Sequence, residues 1–414
     1  MRAEILSIGD ELLHGATVDT NAAEIARALL RHDIEVERIT TVSDRFTDIT
    51  AAIRSALAAA DLLVITGGLG PTKDDITRDG IAAALDRPLE LDPASMERIE
   101  ARFRAVARDM PESNRVQAMI PEGGEALDND MGTAPGLWVE AGPQIVVALP
   151  GVPREMRHLL EDRVLPRLKA RGSVGTGYHE RLIHAIGRGE SHLAESLGDL
   201  FRREGEIRVS ITVSGGVITL AVRSQGAEID RLRAEVNDLA EQICGRLGPL
   251  VFGRDGETLE DITVALLKQH GRTLAAAESC TGGLLSELVT RIPGSSEVFL
   301  GGLVTYANEA KTELLGVPAE LIEEHGAVSE PVARAMAEGA RQRLRTDLAI
   351  GITGVAGPGG GTDEKPVGLV YVACADAEGT KVRECRFPGD RELNRLLAAR
   401  AALDLVRRHL NKLD

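Results

Sequence analysis

The segment AAAESCTGGLLSELVTRI (275–292) breaks an apolar run at Ser279 and Cys280, adds a glycine pair and resumes with a helical pattern. A hydroxyl at such a strand-to-helix turn faces backbone N–H groups that a first helical turn leaves without partners. Those donors could hold the oxyanion that forms when an acyl carbon is attacked. Two readings stay open here, Ser279 as nucleophile and Ser279 as a helix cap. A nucleophilic serine also needs a base. The block GGLVTYANEAKTELLGV (301–317) supplies Tyr306, Asn308 and Lys311 directly after another apolar run. A lysine desolvated there has a depressed pKa and can take the proton, which is the logic of Ser–Lys pairs. A solvated lysine at a helix start is the alternative. Cys280 is the competing nucleophile, since a helix N-terminus activates a thiolate.

Two further blocks could hold a ligand. GITGVAGPGGGTDEKPVG (351–368) is rich in glycine, which lets backbone approach a ligand and offers N–H groups to anions, or else forms a mobile hairpin connection. It lacks the GK[ST] ending of a Walker loop and does not match GxGxxG. In FPGDRELNR (387–395), Arg391 and Arg395 lie one helical turn apart and could clamp a phosphate, or could be two solvated arginines. Near the N-terminus, TGGLGPTKDDITRDGI (66–81) joins a glycine turn to Asp74, Asp75, Thr77 and Asp79. Amides at Gly67 to Gly70 could receive a phosphate, and bunched carboxylates suit a Mg²⁺ ion bridging to it. A helix start enriched in acids is the plainer explanation.

The elements that must position these residues follow from patterning. Up to residue 170, short apolar strands (AEILSIG, VERITTVS, DLLVITGG, PQIVVALPG) alternate with amphipathic helices, predicting a parallel sheet covered on both faces. Both Gly/Pro turns follow strands, where open parallel sheets bind ligands. RGSVGTG (171–177) reads as a linker. The next stretch reads β-α-β-β-α-β, with a hairpin at Gly215–Gly216, and its His184 and His192 read as surface or packing residues. A third unit mixes strands and helices and closes on the helix LNRLLAARAALDLVRRHL. The expected organisation is α/β throughout: a domain over 1–170, a small α+β spacer or dimerising domain over 171–253, and an α/β domain over 254–414.

Charge and composition exclude several functions. The balance of 48 Lys+Arg against 64 Asp+Glu gives a net charge of −16, which argues against a sequence-independent grip on nucleic acid. Aromatic residues are only 2%, too few for a stacking platform. No apolar run reaches the ~18 residues of a membrane span, and MRAEILSIGDEL is not a signal peptide, so a cytoplasmic protein is expected. The four cysteines show neither a CxxC pair nor a metal-ligand spacing.

Taken in order, ESCTGG, GGLVTYANEAK, GITGVAGPGG, KPVG and FPGDR resemble the CinA (competence/damage-inducible) family, whose C-terminal domain belongs with the nicotinamide mononucleotide deamidases. The resemblance covers essentially the whole chain. It implies hydrolysis of nicotinamide mononucleotide to nicotinate mononucleotide and ammonia, with Ser279 as nucleophile, Lys311 as base assisted by Tyr306, and no metal or other cofactor. Thr281, Gly282, Asn308, Thr353, Gly354, Ala356, Gly357 and Arg391 would then contact substrate. IGDELLHGATVDTN, the 66–81 segment and ALPGVPREM resemble the molybdopterin-binding fold, which in CinA-type proteins is associated with ADP-ribose pyrophosphatase activity. That resemblance implies substrate contacts from Gly67, Gly68, Gly70, Pro71, Thr72 and Asn21, and a divalent metal, Mg²⁺, at Asp10, Glu11, Asp74 and Asp75. The glutamate-rich helix of Nudix hydrolases is absent. The expected partners are small nucleotides and a second copy of the chain. A non-catalytic nucleotide or pterin sensor and a molybdenum-cofactor enzyme are the alternatives.

Overall fold

Leu62–Thr66 is buried at every position, as a central strand with helices on both faces must be. This strand, β3, belongs to a sheet with β1 (Arg2–Ile8), β2 (Glu35–Val42), β6 (Gly124–Leu127), β7 (Gly136–Ala141) and β8 (Gln144–Leu149), in the order β2-β1-β3-β8-β7-β6. A separate small ribbon pairs β4 (Leu89–Leu91) with β5 (Met119–Pro121). The computed structural model describes residues 1–172, 178–201, 204–226 and 228–413, so residues 173–177 of the expected linker lie outside the described residues. The chain divides into two compact units, Met1–His179 with Gln225–Leu232, and Glu180–Ser224 with Arg233–Asp414.

In the first unit β2, β1, β3 and β8 are parallel, but β7 runs against them and pairs antiparallel with both β8 and β6, so the expected parallel sheet is a mixed one. The reason is local. Ala141 pairs with Gln144 across a two-residue turn in which Gly142 has a φ of 65°, and a connection this short joins only antiparallel strands. Helices α1 (Asp10–Leu13), α2 (Thr20–Arg31), α3 (Phe46–Ala59), α4 (Thr77–Ala84), α5 (Pro93–Ala105), α6 (Pro153–Leu159) and α7 (Leu165–Ala170) complete the unit, and a π-turn at Leu160–Val164 joins the last two. Alternate residues of β3 and β8 face opposite sides. Val64 and Val147 meet Ile25, Leu29 and Met156, while Leu63, Ile65 and Val146 meet Ile49, Ile53 and Ile81.

Residues 178–254, most of them in the second unit, take the expected β-α-β-β-α-β order: β9 (Tyr178–Ile186), α8 (Glu190–Leu197), β10 (Ile207–Ser214), β11 (Val217–Gln225), α9 (Ile229–Leu247) and β12 (Val251–Arg254). His184 stacks on Phe252 and bonds Thr219 and the Asp255 carbonyl, so it packs rather than ligates. There follow α10 (Leu259–Gln269), β13 (Leu274–Glu278), α11 (Leu284–Thr290), β14 (Phe299–Val304), α12 (Asn308–Leu315), α13 (Ala319–His325), α14 (Glu330–Leu344), β15 (Leu348–Gly354), β16 (Leu369–Ala375), β17 (Thr380–Arg386) and α15 (Arg391–Leu410). Their sheet has the order β14-β13-β15-β16-β17, parallel across β14, β13 and β15 and antiparallel beyond. One face packs Ile350 and Val372 against Leu267, Leu288 and Leu403; the other packs Ala275, Ala277 and Ala349 against Met336 and Ala340. Among the described residues no helix is long and apolar enough to cross a membrane.

Candidate functional site

The carboxyl ends of β13, β14 and β15 lie side by side, and each leads into a block with candidate chemistry: Ser279, the 305–311 stretch, and Gly354 onward. Strand β13 is the topological switch point, because the chain leaves it for β14 on one side and returns to β15 on the other. Ligand sites form at such places in open α/β sheets.

Ser279 comes directly after β13, with its N–H donating to the Ile352 carbonyl at 3.0 Å and its residue 8% exposed. The turn then uses left-handed backbone at Gly282 (φ 59°) and Gly283 (φ 96°), conformations that glycine adopts without strain. Glu278, which sequence reasoning passed over, is fully buried and caps the start of α11. Its carboxylate accepts the N–H groups of Gly283, Leu285 and Ser286 at 2.9–3.0 Å and the Ser286 hydroxyl at 2.6 Å. The helical donors expected to face Ser279 are therefore occupied. The donors left in the turn are the N–H groups of Cys280 and Thr281, which meet no carbonyl acceptor among the described residues, the Cys280 N–H lying against its own thiol.

Lys311 is buried, and its Nζ donates to the carbonyls of Thr305, Tyr306 and Ala307 at 3.0, 3.3 and 3.5 Å, not to Ser279. Burial lowers its pKa, with the Cys280 thiol and Glu309 acting weakly the other way. Burial also pushes the Cys280 thiol up to about 12, with Glu278 adding to the rise. Neutral thiol at physiological pH is a poor nucleophile, so the environment disfavours the competing assignment. The Thr305 N–H donates to the Glu278 carbonyl at 2.8 Å, which fastens the Lys311 loop to the end of β13.

Tyr306 is exposed, and its hydroxyl accepts from Arg391 at 3.0 Å rather than pairing with Lys311. Arg391 also donates to the Gly357 carbonyl at 2.7 Å. Arg395 does not join it as a phosphate clamp, because its Nε and Nη2 both donate to the Thr281 carbonyl, at 3.2 and 2.7 Å. Between them Asn394, fully buried, bonds the Ala356 and Gly389 carbonyls and accepts the Gly389 N–H. The Thr353 hydroxyl is spent on the Ala327 carbonyl at 2.7 Å. Gly354 is a packing glycine, since a Cβ there would sit 2.6 Å from Val370. Asn308 is exposed at the start of α12.

In the first unit the candidate residues gather about a cavity of about 500 Å³ at the carboxyl ends of β1, β3 and β8. Asn21, Gly67, Gly68, Gly70, Pro71, Glu11, Asp74 and Asp75 line it; Asp10 and Thr72 do not. Asn21 is held by bonds from its amide nitrogen to Thr66 Oγ1 (2.9 Å) and the Gly151 carbonyl (2.8 Å). The Gly67 N–H is consumed by the Leu149 carbonyl, and a Cβ on Gly67 would lie 2.3 Å from the Ile8 carbonyl, so this glycine is required by packing. The Thr72 hydroxyl bonds both Asp74 and Asp75, and this bond holds the Asp74 carboxyl below its usual pKa. Asp44, not anticipated from the sequence, also lines the cavity and accepts the Asp10 N–H at 2.8 Å. Burial raises its pKa, and the negative charges of Asp10, Glu11 and Asp74 add to the rise. The wall carries Glu11, Asp19, Asp44, Asp74, Asp75 and Glu155 and no Lys, Arg or His. Among the described residues no three His, Cys, Asp or Glu converge to hold a metal by themselves.

Comparison with known proteins gives three matches along the chain. Residues 4–170 match the model described as "Probable molybdopterin binding domain", residues 180–253 "Damage-inducible protein CinA KH domain", and residues 256–410 "CinA C-terminal domain". A CinA-like protein of Desulfovibrio desulfuricans is 44% identical over 414 residues, covering 99% of this chain and 96% of its own length. A CinA-like protein of Gemmatimonas aurantiaca is 44% identical over 413 residues, with the same two coverages. A solved structure of competence/damage inducible protein CihA from Agrobacterium tumefaciens is 42% identical, covers 37% of this chain and 93% of that one, and has a TM-score of 0.36.

Proposed function

This chain belongs to the CinA family, and from that premise we propose that its C-terminal domain hydrolyses the carboxamide of nicotinamide mononucleotide, giving nicotinate mononucleotide and ammonia. The observation that carries the reading is a lysine on α12, buried without a carboxylate ion partner, whose amine holds the 305–307 loop that is fastened beside a serine at the switch point of the sheet. Ser279 Oγ attacks the amide carbon as its proton passes towards Lys311, whose lowered pKa makes the neutral amine accessible. The N–H groups of Cys280 and Thr281 are the donors available to the oxyanion. The protonated amine then returns its proton to the departing ammonia, and water releases the acyl-enzyme. Arg391 and Tyr306 form the polar rim that meets the sugar phosphate, with Asn308 exposed beside it. In the free protein Lys311 is satisfied by carbonyls, and catalytic hydrogen bonds commonly tighten only with substrate bound.

For the N-terminal domain the reading is hydrolysis of the diphosphate of ADP-ribose in the acidic cavity. A diphosphate entering a wall of carboxylates without a basic side chain requires a cation, and this donor set fits Mg²⁺, which takes one or two carboxylates and shares itself with phosphate oxygens. One or two of Glu11, Asp74 and Asp75 would hold it, with Asp10 at the margin. The ion would supply charge neutralisation, while Asn21 and the 67–72 turn orient the substrate. A cytoplasmic location and a homodimer belong to the same reading, and sedimentation of the purified protein tests the dimer.

The deciding experiment incubates the protein with nicotinamide mononucleotide without added metal and measures ammonia against Ser279→Ala. Release by the wild type alone is expected. Equal release by both removes Ser279 from its role, and release by neither favours a sensor.

A further inference from the structure

Helix α15 spans the second unit, and its contacts change character along its length. At its start Arg391, Asn394 and Arg395 hold three loops of the candidate site: the Gly357 and Ala356 carbonyls, Gly389, and the carbonyl of Thr281 two residues beyond Ser279. One turn further on the same helix meets the β-α-β-β-α-β domain. Arg400 Nη1 donates to the carbonyls of Ser214 (3.2 Å) and Gly215 (2.5 Å) at the tip of the β10–β11 hairpin. The tip is built to lie this close. Gly215 and Gly216 have φ of 53° and 80°, and a Cβ on them would come within 2.8 Å of Leu396 and 2.3 Å of Leu397. At the far end Asp404 is buried among Arg383, Arg407 and Arg408, and Arg407 donates to the carbonyls of Pro249 (2.8 Å) and Val251 (3.3 Å) leading into β12.

We propose that the β-α-β-β-α-β domain is a positioning element of the deamidase site, fixing α15 at two places so that Arg395 holds the Ser279 turn in its reactive geometry. Arg395 is a positioning residue: it touches the Thr281 carbonyl, not the substrate. Two guanidinium bonds to one carbonyl set the orientation of the 281–282 peptide, whose Gly282 N–H closes the turn on the Ser279 carbonyl at 3.1 Å, and so restrain the turn that carries the Cys280 and Thr281 N–H groups. Oxyanion donors lose effect steeply when they are displaced, since they must aim at the oxygen of the tetrahedral intermediate. Leu396, Leu397 and Arg400, which the tip meets, lie on the same helix as Arg395 and within two turns of it, so the tip and Arg395 share one stiff element. The inference rests on the deamidase reading of Ser279, and its test is arranged to separate the two.

The test uses the full chain with Arg395→Met, Arg395→Lys, Gly216→Val and Arg400→Met, read by kcat and KM for nicotinamide mononucleotide and by amide hydrogen exchange. Arg395→Met is expected to lower kcat by about 10- to 100-fold with little change in KM, the range seen when oriented groups are misplaced. The lysine variant should recover part of the loss, and added guanidinium should rescue the methionine variant. Gly216→Val and Arg400→Met, which touch nothing in the site, should lower kcat by about 3- to 10-fold. They should also speed exchange at Gly283, Leu285 and Ser286, whose N–H groups Glu278 holds. If Gly216→Val misfolds, Arg400→Met carries the test alone, since it removes two hydrogen bonds without adding bulk. Wild-type kcat and exchange in the folded hairpin variants would overturn the proposal. Should the wild type release no ammonia, the deamidase reading fails, and the exchange rates still decide whether the hairpin positions the turn.

Discussion

Lys311 is a lysine whose amine is met by carbonyl oxygens and no ion-paired carboxylate, and this determines how the site should respond to pH. Desolvation disfavours the ammonium, so the folded protein binds this proton less tightly than the unfolded chain does. Only the neutral amine can accept the Ser279 proton. Deamidation should therefore rise with pH through the depressed Lys311 pKa and level off below the ~10.4 of an ordinary lysine. The stability linkage has the same sign. Below the folded pKa the cost of burying the charge is fully present, and it is relieved as pH rises towards the unfolded value. A pH–rate profile whose alkaline inflection sits at an ordinary lysine value would remove Lys311 as the base. Glu278 makes a different demand. Glu278→Gln keeps the shape but puts an NH₂ group against N–H donors, so the protein should lose about 2–4 kcal/mol in denaturant titration, and the Ser279 turn should loosen with it. An unchanged midpoint would show that the cap is dispensable. The sequence displays Ser279 and Lys311 because a turn and a polar block set them apart. Glu278 is hidden at the end of an alanine run, where an acid with no visible partner reads as the edge of a strand. Its partners are backbone N–H groups, which carry no sequence signature.

At the scale of elements, the glycines show what patterning can and cannot decide. From sequence, GITGVAGPGG reads as a loop kept open for a ligand. Gly351, inside β15, is instead the point where α14 lies against the sheet. A Cβ there would come within 2.3 Å of the Ala333 carbonyl and 2.7 Å of the Ala337 N–H. Neither backbone can yield without moving a helix, so Gly351→Ala should destabilise the second unit by about 1–3 kcal/mol; an unchanged melting temperature would contradict the packing. Sequence cannot tell a glycine that admits a ligand from one that admits a helix, because both need only the missing Cβ. The same ambiguity hides the role of Gly67. The β-α-β-β-α-β order and the alternation of the first 170 residues are legible directly from apolar period and turn residues. The reversal at β7 is not, because the turn that returns the chain to β8 is only two residues.

For the whole molecule, the two candidate sites obey opposite electrostatics, and this yields the prediction that separates them. The N-terminal wall presents Glu11, Asp19, Asp44, Asp74, Asp75 and Glu155 with no basic side chain, and Asp44 is already raised by burial and by its acidic neighbours. An anionic diphosphate can enter only if a divalent ion offsets that charge, so ADP-ribose hydrolysis should vanish with a chelator and return with added Mg²⁺. The proposed C-terminal site would meet its substrate through Arg391 and backbone donors, and its proposed chemistry would run on Ser279 and Lys311 alone. Ammonia release should therefore be indifferent to the same chelator. The crossed experiment is to assay both reactions in the wild type, in Ser279→Ala and in Asp74→Asn with Asp75→Asn, each with and without chelator. Ser279→Ala should abolish only ammonia release, and the double aspartate variant only diphosphate cleavage. Chelator should reproduce the second pattern in the wild type. If the serine variant also stopped diphosphate cleavage, one site would be serving both reactions, and the assignment of a separate active centre to each compact unit would have to be given up.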